Sequence, residues 1–188
     1  MKTLRPLAVL LLTSILLLAT SPAADTPEDV VARQLAAMRA GDWEQFTSCM
    51  SDSTLREFQK SVIDILTNAP ESVNRDQLLR SYFQNKSAGD LSAIKPSEFF
   101  ALFMNGLRDT NPGLKESMAK AEGKILGHID EGPDTAHVVT RMIMPISDGR
   151  MTKMDVTTLK RDGDTWKAQL KGDMQAVVNN LGRMLQVK

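Results

Sequence analysis

KILGHIDEGPDTAHVVTRMIMPISDGRMTKMDVTTLKRDGDTWKAQL, residues 124–170, decides the fold. Up to Gly123 the apolar side chains recur at helical spacing; beyond it they fall on every second residue, the period of a strand. Three turn signals, EGPD, SDGR and DGD, divide the stretch. The pattern predicts strands over 122–130, 135–144, 151–161 and 165–170, joined as an antiparallel meander.

Register then decides what each face carries, because a slip of one residue turns every side chain over. A three-residue loop at Ser147, Asp148 and Gly149 opposes Ile146 to Arg150, Met142 to Met154, Thr140 to Val156 and Val138 to Thr158, with Arg141 beside Asp155. A two-residue turn at Asp148 and Gly149 pairs Arg141 with Val156 and Met142 with Asp155, mixing charge into both faces, so the first register is preferred. Four connecting residues at EGPD set Ile129 against Ala136 and His128 against His137. For the last hairpin, a two-residue turn at Asp162 and Gly163 and a pairing of Val156 with Leu170 both stay open.

On this reading one face holds Ile125, Ile129, Ala136, Val138, Thr140, Met142, Met144, Met154, Val156, Ala168 and Leu170, and contains no carboxylate, histidine, tyrosine or cysteine. Such a face needs helices over it. Together with Phe99, Phe103 and Trp166, the residues Met142, Met144 and Met154 form the candidate lining of an apolar pocket. The opposite face carries His128, His137, Arg141, Lys153 and Asp155 among aliphatics. Imidazole and carboxylate suit zinc, yet no recognisable third ligand accompanies the two histidines. No metal is assigned, and His128, His137, Arg141 and Asp155 read as a solvated face or a candidate subunit interface, with a homodimer as one form of it.

Before the strands, Thr26 caps a first helix that starts at Pro27 and ends at Gly41. Asp42 caps a short second helix with Trp43 and Phe46. A third runs from about Ser53 to before Pro70, and a fourth from about Asn74 buries Leu78, Leu79, Tyr82 and Phe83. QNKSAGDLS reads as a loop. SEFFALFMNGL, after Pro96, is apolar nearly all round and must be buried on most sides. A turn of helix over 114–120 closes this half, and GDMQAVVNNLGRMLQ places Met174, Val177, Val178, Leu181 and Leu185 on a last helical stripe.

The N-terminal 23 residues carry Lys2 and Arg5, no acid, and an apolar run from Leu7 to Ala19. They read as a signal peptide cut after Ala23, too short to span a bilayer. The mature chain, 24–188, reads as one exported soluble domain (periplasmic or secreted) without a stable membrane anchor. Losing the leader takes Lys plus Arg from 23 to 21 against 23 acids, a net charge near −2. That balance offers nothing to a phosphate backbone, which argues against nucleic acid as a partner. The single cysteine, Cys49, has no partner for an internal disulfide and reads as a small buried apolar residue.

The hairpin TPEDVVARQLAAMRAGDWEQF, with G-D-W between its helices, and the closing VTTLKRDGDTWKAQL, with D-G-x-W-K, resemble the nuclear transport factor two-like (SnoaL-like) superfamily over about 26–171. The resemblance implies an α+β cone: helices packed on a curved four-stranded meander, often dimeric, with a pocket at the open end. Relatives resembling ketosteroid isomerase place an acid and phenolic donors in that pocket. Here the expected inner face has no acid and Tyr82 is the sole tyrosine, so no catalytic residue is assigned. Exported phospholipid carriers share the order of helices then sheet, a weaker likeness. The sequence lacks G-x-S-x-G, H-E-x-x-H, C-x-x-C and a phosphate-cradling loop, and no cofactor is expected. The reading is therefore a non-catalytic domain for a protein partner or a modest apolar ligand. A carrier of lipid or another hydrophobic molecule is the alternative, and an acid–base isomerase or hydratase comes third.

Overall fold

A computed structural model describes residues 25–146, 148–170 and 172–186. The expected signal peptide at 1–23 lies outside the described residues. Helices come first: α1 (Pro27–Ala40), α2 (Trp43–Ser48), α3 (Asp52–Asn68), α4 (Val73–Phe83), α5 (Ala88–Ala93), α6 (Pro96–Thr110) and α7 (Pro112–Ala119). The sheet comes next as β1 (Glu122–Asp130), β2 (Thr135–Ile146), β3 (Gly149–Asp162) and β4 (Thr165–Ala168), and α8 (Gly172–Gln186) closes the chain. Strand order is β1-β2-β3-β4, all antiparallel, so the expected α+β layout of helices, meander and final helix is borne out.

Local chemistry sets the helix boundaries. Thr26 and Asp29 form a reciprocal capping box at the start of α1, and Gly41 ends it in the left-handed region at φ 71°. The stretch read as a loop contains α5 instead. Ser87 and Asp90 cap each other there, a Ser-x-x-Asp signal that outweighs the polar composition, and Leu91 is buried beneath. Phe58, Phe83, Phe99 and Phe103 are buried and meet ring to ring at 5.3–6.0 Å between α3, α4 and α6. A second cluster joins Val30, Val31 and Cys49 to Ala136, Val138, Leu159 and Trp166, fastening α1 to the sheet. Beyond β4, the backbone at Cys49 and Ser51 pairs with Ala168, which covers that edge strand.

Register corrects the sequence reading. Ile146 opposes Gly149 across a two-residue connection, so Met142 faces Lys153, Thr140 faces Asp155 and Arg141 faces Met154. The last hairpin pairs Asp162 with Thr165 and Leu159 with Ala168, one step from the Val156–Leu170 pairing and two from a turn at Asp162 and Gly163. Between β1 and β2 the expected register holds through Ile125, opposite Thr140, until a bulge at Leu126 shifts it and sets Ile129 against His137. The physical cause on β3 is the demand for Leu159 and Thr157 inside, at 0% and 1% exposure; Met154 and Val156 then stand outside at 57% and 52%.

Candidate functional site

Between sheet and helices lies a cavity of about 310 Å³. Its floor is the inner face of the sheet: Met142 and Met144 from β2, Lys153 and Asp155 from β3. Gln34, Leu35 and Met38 of α1 form one wall, with Trp43 and Phe46 of α2 beside them; Phe100, Met104 and Leu107 of α6 stand opposite. The first turns of α8 supply Met174 and Val177. That helix is fixed elsewhere, through Val178, Leu181 and Leu185, which are buried in the helical core.

Seven methionines line this space: Met38, Met50, Met104, Met118, Met142, Met144 and Met174. Unbranched thioether chains accommodate varied apolar shapes, where β-branched residues would fix one. The polar groups among them are Gln34, Lys153, Asp155 and Gln169. Gln169 is held by the Thr54 hydroxyl, which donates to its Oε1 at 3.1 Å. Two buried polar atoms nearby have no hydrogen-bond partner, the Trp43 Nε1 and the Thr140 Oγ1. The Arg108 guanidinium lies 5.7 Å from the centre of the Trp43 ring.

The presence of Lys153 and Asp155 in the lining corrects the expectation of an inner face without a carboxylate. Of the six residues expected to line an apolar pocket, only Met142 and Met144 do so. Phe99 and Phe103 are fully buried in the helical core, Trp166 belongs to the cluster that fastens α1, and Met154 points outward. The four residues grouped as an interface divide between faces. His137 and Arg141 lie on the outer face, while Asp155 and His128 take the inner parity opposite Thr140 and Val138. His128 Nδ1 meets Glu28 of α1, and its Nε2 lies 3.4 Å from Asp130. The Glu28 hydrogen bond raises the imidazole pKa above its usual value, against a smaller desolvation effect. His137 instead bonds Glu131 at 2.8 Å and Thr158 at 3.1 Å.

Among the described residues no group of three His, Cys, Asp or Glu side chains is placed to hold a metal ion. No helix among them is long and apolar enough to cross a membrane. Tyr82 stacks on Phe103 at 5.7 Å and lines a separate groove with Asn74 and Thr110 rather than the cavity. The polar pair on β3 had one usable signal: once Leu159 is taken as inward, a period of two carries Thr157, Asp155 and Lys153 inward with it.

No protein-family model matches the chain, and no curated protein matches it significantly. Among solved structures it is similar to an NTF-2-like protein of unknown function from Shewanella oneidensis MR-1, at 13% identity over 76% of this chain and 90% of that one, with a TM-score of 0.40.

Proposed function

We propose that the protein is an exported, non-catalytic domain that holds a small apolar ligand with a polar end in the methionine-lined cavity. The observation that carries this reading is a volume of about 310 Å³ walled by seven thioethers and four polar side chains. The volume falls in the range of small-molecule sites. Taking about 30 Å³ for the share of one water, it admits on the order of ten non-hydrogen atoms. A two-chain phospholipid is several times larger, so of the hydrophobic molecules a carrier might hold, only a short single-chain or single-ring compound fits inside. The test is titration of the purified protein with 1-decanol and decanoate, monitored by calorimetry or by methionine methyl resonances. Saturable binding that Met142→Trp and Met174→Trp abolish while the fold persists is the expected result. Absence of binding, or binding indifferent to both substitutions, refutes it.

Asp155 and Lys153 facing one cavity favour a second reading, acid–base chemistry of the SnoaL-like kind. Such chemistry needs a base within hydrogen-bond reach of the substrate proton. Asp155→Asn separates the two. A binding domain keeps its affinity within the contribution of one polar contact and turns nothing over; an isomerase loses turnover while still binding.

A further inference from the structure

We propose that the outer face of the sheet docks on an anionic lipid surface. Among the described residues, α1 and α7 pack against the inner side and no helix covers the outer one. Four large apolar side chains stand exposed on it, Leu126 in the bulge, Ile129, Met154 and Val156, and Ile146 is exposed at the adjoining hairpin end. An uncovered apolar face of this extent marks an interaction site.

Charge specifies the partner. Register sets Lys124 directly opposite Arg141 across β1 and β2, and Lys160 directly opposite Lys167 across β3 and β4, all of outward parity. Like charges placed directly opposite oppose sheet pairing, and this face carries two such pairs. Lys167 donates to the Ser48 carbonyl at 2.7 Å; Lys124, Arg141 and Lys160 have no hydrogen bond or ion pair among the described residues. Of the acids at outward positions, Glu122 is bound to Arg150 at 2.5 Å and Glu131 to His137 at 2.8 Å, which sets Asp162, two residues from Lys160 on β3, against the four cations. A second copy stacked here would add four more cations against one further carboxylate, Asp162. The partner must bring a surplus of negative charge to both ends of an apolar strip.

Lipid fits better than an acidic protein. The cavity, the groove at Tyr82 and a groove between Ile65 and Leu185 lie on the helical side, and among the described residues no aromatic anchor of the kind that dominates protein hot spots stands at an outward position of the sheet. Aliphatic side chains beside long cations suit a fluid apolar layer under anionic headgroups. Each cation near such a surface multiplies affinity about five-fold.

Sedimentation of the purified protein with vesicles tests the proposal, comparing equal parts phosphatidylglycerol and phosphatidylcholine with phosphatidylcholine alone. Expected are binding to the anionic vesicles only, weakening as salt rises, and a loss of about 25-fold or more in the Lys124→Glu/Arg141→Glu variant. Lys160→Glu, at the opposite corner of the face, reports independently should the double variant fold poorly. Binding to neither vesicle, or binding unchanged in both variants, overturns the proposal. So does a concentration-dependent dimer dissolved by Met154→Glu, which assigns the face to a second copy. Poly-glutamate captured by the same cations in preference to anionic vesicles overturns it too, in favour of an acidic polypeptide.

Discussion

Gly106 lies where α6 crosses α4 backbone to backbone, and a single methyl group there should open the helical core. A Cβ at this position would stand 2.4 Å from the Tyr82 Cα and 2.8 Å from the carbonyl oxygens of Ser81 and Tyr82. Real Cβ contacts essentially never fall below 3.0 Å, and the obstruction is main chain, which no rotamer relieves. The two helices must part by most of an ångström, loosening the Tyr82–Phe103 and Phe83–Phe103 ring contacts on either side. Overpacking costs about 1–3 kcal/mol and occasionally more. The better helix propensity of alanine returns about 1 kcal/mol. With a rigid obstacle the upper end applies, so Gly106→Ala should lose about 2 kcal/mol, or roughly 4–8 °C in Tm for a domain of this size. Gly182 in α8 is the control: there a Cβ meets only Ile65 side-chain atoms at 3.7 and 3.9 Å, ordinary contact. Gly182→Ala should gain about 0.5–1 kcal/mol through propensity and a less free unfolded chain. Urea unfolding monitored by circular dichroism at constant m-value measures both. A Gly106→Ala midpoint equal to or above that of the parent would refute the close crossing and the packing argument built on it.

Three further outcomes concern other parts of the molecule. Thr140 is 2% exposed with its hydroxyl unpartnered, so Thr140→Val should be neutral or stabilising by about 1 kcal/mol, read from the same urea midpoint; a clear loss would reveal a partner for that oxygen. His128 has its pKa raised by Glu28, so its contribution is fully present below the unfolded imidazole pKa, near 6.5. It is lost as pH rises through the folded value. The Tm advantage of the parent over His128→Gln should accordingly be largest in mild acid and fade toward alkaline pH, and Glu28→Gln should flatten the same slope. Ser51, whose Oγ accepts from the Thr54 amide at the start of α3, should cost about 1 kcal/mol when changed to alanine, again measured by urea unfolding.

The helices are legible because their signals are local. Thr26, Pro27 and Gly41 bound α1 by capping chemistry that needs no distant partner, and the Phe99–Phe103 stretch announces its burial by being apolar around its circumference. The omission of α5 has the same origin in reverse: its Ser87–Asp90 box is present, but a surrounding composition rich in small polar residues masks it. Strand pairing is different, since it depends on which face the rest of the chain covers. On β3 the apolar residues Met151, Met154, Val156 and Leu159 occupy both parities, so alternation alone cannot choose a register.

What chooses it lies far along the chain. Leu159 sits opposite Ala136 and Ala168 and packs into the cluster with Val30, Val31 and Trp166, a site only one parity can fill. Burying Leu159 fully outweighs exposing Val156, because the helices reach that end of the sheet on its inner side and, among the described residues, none covers the outer face. The same one-residue choice moves two sets of side chains together. Asp155 and Lys153 turn into the cavity, giving it polar contacts that a hydrocarbon interior would lack, while Met154 turns out to stand beside Arg141. The polar end proposed for a ligand and the β3 share of the surface proposed for a membrane, Met154, Val156 and Lys160, thus trace to one packing decision. Reversing it with paired substitutions, Leu159→Ser and Val156→Leu, should therefore disturb both sites at once or unfold the sheet; a variant that altered only one of them would show that they are set independently.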